Sequence, residues 1–589
     1  MKSETGRVVW DRKGVARRLR RLVVAGIAAA AVLPFLALSP AAGAATAISN
    51  ARLVRVDAAP RVPTAAVRIG AVDTSAIEHG AVVLKPRNEA GLVHFISAVT
   101  DRSSSSFHQY LAPGTFARRF GPSSPAIHSV VASLRRDGLS VTGVAPDGLI
   151  VRFSGAAGHI EKAFHTRLAS YRLADRSLGQ ATTSAVRLPS TIARYVSSVV
   201  GLDDLVHAHA LGLEHVVVGH RPPYPPAKTA HFSHPSGSPT PCVAASADAA
   251  SFGGLTDDQI ANAYGAFGLY NAGDFAAGQH IAVYELEPFL ASDIATFDSC
   301  YFGTSAASQM ANRLHTVSID GGNPTGEGSG EAVLDVEDVS AMAPAANIDV
   351  YSAPNTTFGA LDEYAAIVNT DTDKVVTSSW GLCEQAVELG SPGVQQAENL
   401  LFEQAAAQGQ SIFSAAGDTG SDDCNAFRPN VPPATQNPLS VDDPGSQPYV
   451  LSVGGTTITD AATTPATEQV WNDGAAWGAG GGGISMSWPM PSWQASSRVA
   501  GIGAIVPGST DYGNANTVEK AFGYTPGFCN ATGPDPDASP GGLTPGGTTP
   551  CRLVPDVSAQ ADEFTGAVTI YAKEFVAPSS PDGWITIGG

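Results

Sequence analysis

His280-Ile281-Ala282-Val283-Tyr284 is a short apolar run led by a histidine and followed by Glu285. Such a stretch, rich in β-branched and aromatic side chains, reads as a strand buried on both faces. Runs of the same kind follow at Ile348-Asp349-Val350-Tyr351, Val375-Val376-Thr377-Ser378, Ser411-Ile412-Phe413-Ser414 and Tyr449-Val450-Leu451-Ser452-Val453. Helical stretches separate several of them. This alternation predicts an α/β fold with a mostly parallel sheet flanked by helices. Sheets of that type place their sites at the carboxyl ends of the strands. Glu285, Trp380 and Asp418 all stand just past predicted strands.

Upstream, residues 51–205 alternate on a smaller scale. Ala81-Val82-Val83-Leu84 and Leu149-Ile150-Val151-Arg152-Phe153 read as strands; Gly91–Val99, Ile127–Leu134 and Ala156–Phe164 have helical spacing. This predicts a small α+β domain ahead of the larger one. Before it, Arg17, Arg18, Arg20 and Arg21 precede an apolar run from Leu22 to Leu38, and Ala42-Gly43-Ala44 offers small residues for cleavage. Residues 1–44 are therefore expected to be an export signal, and the mature protein secreted with no membrane span.

Charge divides the chain. From Cys242 onward there are 7 Lys+Arg and 40 Asp+Glu; from Ala51 to Pro241 there are 20 and 12. A basic segment ahead of an acidic one predicts electrostatic docking of the first on the second. The acidity of the second half speaks against nucleic acid as a partner, and self-repulsion there is relieved by acid. Twelve of the 14 histidines precede Cys242, six of them in or beside the segment 206–241: His207, His209, His215, His220, His231 and His234. That segment also carries Arg221-Pro222-Pro223-Tyr224-Pro225-Pro226 and reads as an exposed linker. Only His280 and His315 remain for the acidic half. A Ser-His-Asp triad or an HExxH zinc site is poorly supplied there, and no Cys/His spacing marks a metal site. The base of any hydrolase is then expected to be a carboxylate.

Gly330-Glu331-Ala332-Val333-Leu334-Asp335-Val336-Glu337 supplies one. The spacing of four puts Glu331 and Asp335 on one helical face, one turn apart. Like charges there repel. An acidic solvated face is the plain reading; the chemical one is a pair of carboxyls with separated titrations. Six cysteines, Cys242, Cys300, Cys383, Cys424, Cys529 and Cys551, suggest disulfides in an exported chain. Six allow 15 pairings. Cys529 with Cys551 is the most local, Cys383 with Cys424 a second choice, which leaves Cys242 with Cys300. The run Gly480–Gly483 has no Lys-Ser/Thr of a phosphate loop and is expected to flank substrate.

The ordered set of motifs resembles the sedolisin (serine-carboxyl peptidase) family, including the kumamolisins. Residues 51–205 resemble its activation prodomain through Phe107-His108-Gln109-Tyr110-Leu111, Phe120-Gly121-Pro122 and Val199-Val200-Gly201-Leu202. The second half, 242–589, carries Ile281–Glu285, the Glu331/Asp335 pair, Ser378-Ser379-Trp380-Gly381, Ala415-Ala416-Gly417-Asp418-Thr419-Gly420, Ser452-Val453-Gly454-Gly455-Thr456, Gly481-Gly482-Gly483-Ile484-Ser485 and Pro555-Asp556-Val557-Ser558-Ala559.

The resemblance implies a subtilisin-like fold and an acid-active endopeptidase made as a zymogen. It implies that Glu331 is the general base, that Asp335 holds and tunes it, and that Asp418 is a protonated oxyanion donor. Glu285 and Trp380 match positions that extend the carboxylate network. The prodomain is expected to act as an intramolecular inhibitor, peptide or protein as substrate, and the protein as a monomer. A processing site is expected in 206–241, with acid weakening the docking through histidines and carboxylates. The family's serine follows a Gly-Gly-Thr-Ser motif; this sequence runs to Gly588-Gly589. The nucleophile, and the calcium site of complete family proteins, are therefore expected outside it. Ser305, in Gly303-Thr304-Ser305-Ala306, precedes Glu331 and lacks the following proline. Asp418-Thr419-Gly420-Ser421 mimics an aspartic peptidase motif without a second copy. The rival to an enzyme is a degenerate peptidase that only binds peptides.

Overall fold

The computed structural model describes residues 52–63, 65–174, 176–210, 232–323, 330–425, 440–474, 478–495, 551–566, 568–573 and 583–589. The expected export signal, most of the linker and Cys529 lie outside the described residues.

Residues 51–589 form one unit. Its amino-terminal part is built on an antiparallel sheet of β1 (Ile77–Leu84), β2 (Ser140–Val144), β3 (Ile150–Ala156) and β4 (Val196–Val200), in the order β2-β3-β1-β4. Helices α1 (Glu89–Thr100) and α2 (Ser124–Arg136) are each capped by a side chain, Asn88 Oδ1 accepting from Gly91 N–H and Ser123 Oγ from Ala126 N–H. The short α3 (Ala157–Phe164) buries Ile160 and Phe164. These elements contain the predicted strand and helix runs of 51–205. Val82, Leu84, Val130, Leu134, Val151, Phe153, Ile160 and Phe164 form one buried cluster.

The larger part centres on β6 (His280–Glu285). From one edge the parallel order is β7 (Leu314–Ser318), β8 (Asn347–Ser352), β6, β9 (Val375–Ser378), β11 (Ser411–Ala415) and β13 (Leu451–Asp460). Strand β14 (Thr467–Val470) closes it antiparallel, and β15 (Val557–Gln560) pairs with β13 in parallel. The predicted α/β class and mostly parallel sheet are borne out. Edge strand β7 was not foreseen, because His315, Thr316 and Ser318 break its apolar pattern and are exposed.

Helix α4 (Gly330–Met342) covers one face of the sheet and α5 (Thr357–Thr370) the other. Val333 and Val336 of α4 pack with Val283 and Val350. Leu361, Tyr364 and Ile367 of α5 pack with Ala282, Tyr284 and Tyr351. Strand periodicity then puts Glu285 on the α4 side, in line with Val283. Ser352, at the end of β8, and Ser379, just past β9, stand at the same carboxyl-end rim.

The two parts share a core. Leu92, Ile96, Leu111, Phe116 and Phe120 of the first belong to the same buried cluster as Leu361, Tyr364 and Phe402 of the second. Polar contacts finish the seam. Arg152 Nε donates to both carboxylate oxygens of Asp362 at 2.6 and 2.7 Å. Asp147 N–H donates to Asn369 Oδ1 at 3.0 Å, and Leu111 N–H donates to Ala407 O at 2.9 Å. The expected charge attraction is present at Arg152, but apolar packing forms much of the interface.

In the acidic part Arg552 is wholly buried and donates to Asp556 Oδ1 and Oδ2 at 3.0 and 2.7 Å, Ser446 O at 3.0 Å and Val450 O at 2.9 Å. Its planar fork ties two chain segments together, which a lysine could not do with the same bonds. Disulfides join Cys242 to Cys300 and Cys383 to Cys424, as expected. Cys551 is also disulfide-bonded.

Candidate active site

Three loops and one helix meet at the carboxyl ends of β6, β9 and β11. Glu331 lies in the first turn of α4 and is 1 % exposed. Burial pushes its carboxyl well above the ordinary range, and the charges of Asp335 and then Asp418 push the same way, against a hydrogen bond with Ser379. Asp335 Oδ1 accepts from Ser379 Oγ–H at 2.7 Å. Burial raises Asp335 to about 6, opposed by bonds from Ser379 and Glu285.

Glu285 is fully buried at the tip of β6. Its Oε2 accepts from the indole Nε1–H of Trp380 at 3.0 Å, and its backbone N–H donates to Glu363 Oε1 at 2.9 Å. Burial, then the charge of Asp335, pushes Glu285 well above the ordinary range. Two carboxyl groups hydrogen-bond only if one keeps its proton. The pair therefore shares one proton, with burial raising both carboxyls. The chain of contacts runs Trp380–Glu285–Asp335–Ser379–Glu331.

Asp418 comes from the loop after β11. Gly417 (φ +93°) and Gly420 (φ +67°) give that loop its sharp path. The glycine run lies alongside: Ala479 N–H donates to Asp418 O at 2.8 Å, Gly481 N–H to Gly417 O at 2.7 Å and Gly482 N–H to Gly420 O at 3.2 Å. A side chain at Gly481 would collide with the loop, its Cβ 2.6 Å from Gly417 O, and a Cβ on Gly480 would lie 2.6 Å from Gly455 O. The charge of Asp418 acts on Glu331, Asp423, Asp442 and Glu563. Glu563 Cα lies 2.6 Å from where a Cβ of Gly588 would be, and Gly589 N–H donates to Ala561 O at 2.7 Å. Residues 588–589 therefore run beside the acidic cluster.

The structure thus brings together Glu285, Glu331, Asp335, Trp380 and Asp418. The sequence reading did not single out Ser379 or Glu363. Ser379 stood in view inside Ser378-Ser379-Trp380-Gly381, one residue past a strand. Glu363 carries no motif in the sequence and is fully buried on α5. Ser305 is exposed on the helix Thr304–Met310.

Trp380 opens a further strand, β10 (Trp380–Cys383), at the same rim. It pairs antiparallel with β12 (Asp442–Asp443) on one side. On the other it pairs with β5 (His209–Ala210), with His209 opposite Gly381 and Ala210 opposite Trp380. Asn355 Nδ2–H donates to Ala208 O at 2.9 Å. The segment leaving the amino-terminal part is therefore an added strand next to the carboxylates.

The pro-kumamolisin activation domain matches residues 64–205. Sedolisin of Pseudomonas sp. (strain 101) is 30% identical over 432 residues, 71% of this chain and 67% of that protein. The chain belongs to the sedolisin family. Kumamolisin of Bacillus sp. (strain MN-32) is 34% identical over 391 residues, 63% of this chain and 61% of its own length. Xanthomonalisin of Xanthomonas sp. (strain T-22) is 29% identical over 494 residues, and the match spans 56% of its length. A solved structure of Pseudomonas sedolisin, a serine-carboxyl proteinase complexed with two molecules of pseudo-iodotyrostatin, aligns at a TM-score of 0.39 with 24% identity over 57% of this chain and 76% of that one.

Calcium is expected of the complete family protein, not of residues 1–589. Calcium takes six to eight oxygens. Among the described residues, the grouping of His, Cys, Asp and Glu with metal-ligand spacing is His280, Asp349 and Asp373, which includes an imidazole.

Proposed function

We propose that this protein is a secreted, acid-active serine-carboxyl endopeptidase made as a zymogen, with Glu331 as general base, Asp335 as its partner and Asp418 as oxyanion donor. The observation that carries the reading is that Asp418 acts on Glu331, which with Asp335 shares Ser379, at the rim where β5 lies against β10. Glu285 and Trp380 hold Asp335 from behind. The nucleophile is the serine of the family's Gly-Gly-Thr-Ser motif, whose two glycines match Gly588-Gly589.

The chemistry follows from these positions. The serine proton passes to the Glu331 carboxylate as the serine oxygen bonds to the peptide carbonyl carbon. The carbonyl oxygen takes the negative charge and is held by the protonated carboxyl of Asp418, since a carboxyl donates only with its proton on. The proton on Glu331 then goes to the leaving amine as the peptide bond breaks. The crowding of carboxyls keeps several of them protonated at once, leaving charge to be shared along Glu331–Ser379–Asp335.

Residues 64–205 act as an inhibitor in cis, and β5 lies where an extended substrate would add a strand. Processing follows in residues after Ala210. Acid weakens the docking by protonating linker and prodomain histidines. Asp147 and Asp320, both raised to about 6, take up protons in the docked state and oppose that release. The mature enzyme acts on peptides or proteins as a monomer, without nucleic acid. Among the described residues no helix is long and apolar enough to cross a membrane.

The test extends the reading frame past residue 589 and assays the resulting chain on a denatured protein at pH 4 and pH 7. Processing and turnover at pH 4, insensitive to pepstatin and abolished by Glu331→Gln, are expected. A stop codon at that point, with peptide binding and no turnover, establishes the non-catalytic rival instead.

A further inference from the structure

We propose that His280, Asp349 and Asp373, joined by His315, bind a divalent transition-metal ion, zinc by ligand type, at the amino-terminal end of the parallel sheet. The place is remote from the carboxylate rim: five residues of β6 separate His280 from Glu285, about 16 Å along the strand.

Register brings the ligands together. His315 on β7 stands opposite Asp349 on β8, and Ala282 on β6 stands opposite Asp349 on its other side. His280, two residues before Ala282, shares that face. Asp373 arrives from the turn before β9. Ligand atoms of His280, Asp349 and Asp373 lie within 4.8 Å of one another. Ligands each about 2 Å from one zinc ion fit within that spacing after a small inward shift.

The contacts already made leave a place for a cation. Asp349 Oδ2 faces His280 Nδ1 at 3.2 Å and its Oδ1 faces His315 Nδ1 at 3.0 Å. Asp373 is 0 % exposed. Its Oδ2 accepts from the Tyr351 hydroxyl at 3.0 Å, whereas its Oδ1 is buried with no hydrogen-bond partner. Ion pairs between Asp349 and two histidines would explain the first carboxylate alone. A proton shared between Asp349 and Asp373 is the rival account of the second, and a bound dication would displace it. A dication held between the two carboxylates and the imidazoles satisfies all of them.

Imidazole with carboxylate selects zinc and its transition-metal neighbours over calcium and magnesium, which take oxygen ligands. Asn347 Nδ2, which also donates to Gln279 O at 3.3 Å, lies 3.3 Å from His280 Nε2. An outer contact of this kind orients an imidazole. The partial exposure of both histidines leaves a route for entry and room for water.

Zinc chloride titrated into the full chain at pH 7.5, read by calorimetry and by metal content after dialysis, tests this. One tight site is expected. Asp373→Asn and His280→Gln should each weaken it beyond the roughly 10–100-fold that loss of an outer contact costs. His315→Gln, at an exposed position that cannot unfold the sheet, should weaken it by about 10-fold. Absence of saturable binding overturns the proposal. So does tight binding unchanged in all three variants, which assigns the ion to the histidines of residues 207–234.

Discussion

The indole nitrogen of Trp380 and the carboxyl of Glu285 are joined at 3.0 Å inside a fully buried pocket, and this bond fixes one oxygen of the carboxyl that also acts on Asp335. Trp380→Phe strands a buried acceptor and should lower stability by about 1–3 kcal/mol. Glu285→Ala removes the hydrogen bond that holds Asp335 down. The rising limb of kcat/KM should then move to higher pH by about one unit, and Glu285→Gln, which keeps a donor, should leave it in place. A pH profile of the three variants in the catalytically complete chain decides the matter.

Asp418 can donate only while protonated, whereas an asparagine donates at every pH. Asp418→Asn should therefore retain part of the activity and extend it toward neutral pH. Asp418→Ala should lose roughly 10²–10³ in kcat, the usual cost of one oxyanion donor. Equal losses in both variants with the same pH profile would remove Asp418 from that role.

Arg152 reaches from the prodomain to Asp362, whose side chain is 6% exposed. Arg152→Ala leaves a buried carboxylate without its cation and should weaken the docked state by about 3–5 kcal/mol. Processing at pH 7 should become measurably faster than in the parent. An unchanged processing rate shows that the apolar seam around Leu111 and Phe402 holds the prodomain alone.

Buried carboxyls fix the sign of the pH dependence of stability. Burial raises Glu398 to about 7, Glu403 to about 8 and Asp423 to about 8, against roughly 4 in an unfolded chain. A carboxyl that is harder to ionise when folded favours the fold below about pH 4 and loses that contribution as pH rises to about 8. The guanidinium midpoint should be highest near pH 4 and lower at pH 8. A higher midpoint at pH 8 refutes this.

Much of the architecture was legible because the central strands are buried on both faces, and buried strands are written as unbroken apolar runs. Glu331 and Asp335 were legible from one helical turn. What escaped is what only a partner strand defines. His209–Ala210 is two residues in a His- and Pro-rich stretch, and its strand character comes wholly from Trp380 and Gly381. Ser379 has no local mark that separates it from Ser378; its bond to Asp335 exists because α4 lies across the end of β9. The grouping of His280, His315, Asp349 and Asp373 is spread over 94 positions and becomes visible only through sheet register.

Because the stretch seated on β10 belongs to the same polypeptide as the carboxylates beside it, the first cut of the proposed activation would require no encounter between molecules. Only four residues separate Leu205, the last of the matched activation domain, from Ala210. The effective local concentration of that peptide bond is set by this short tether rather than by how much protein is present. Maturation should then begin with first-order kinetics whose rate constant survives dilution. Any later trimming in trans is second order and fades as the solution is thinned.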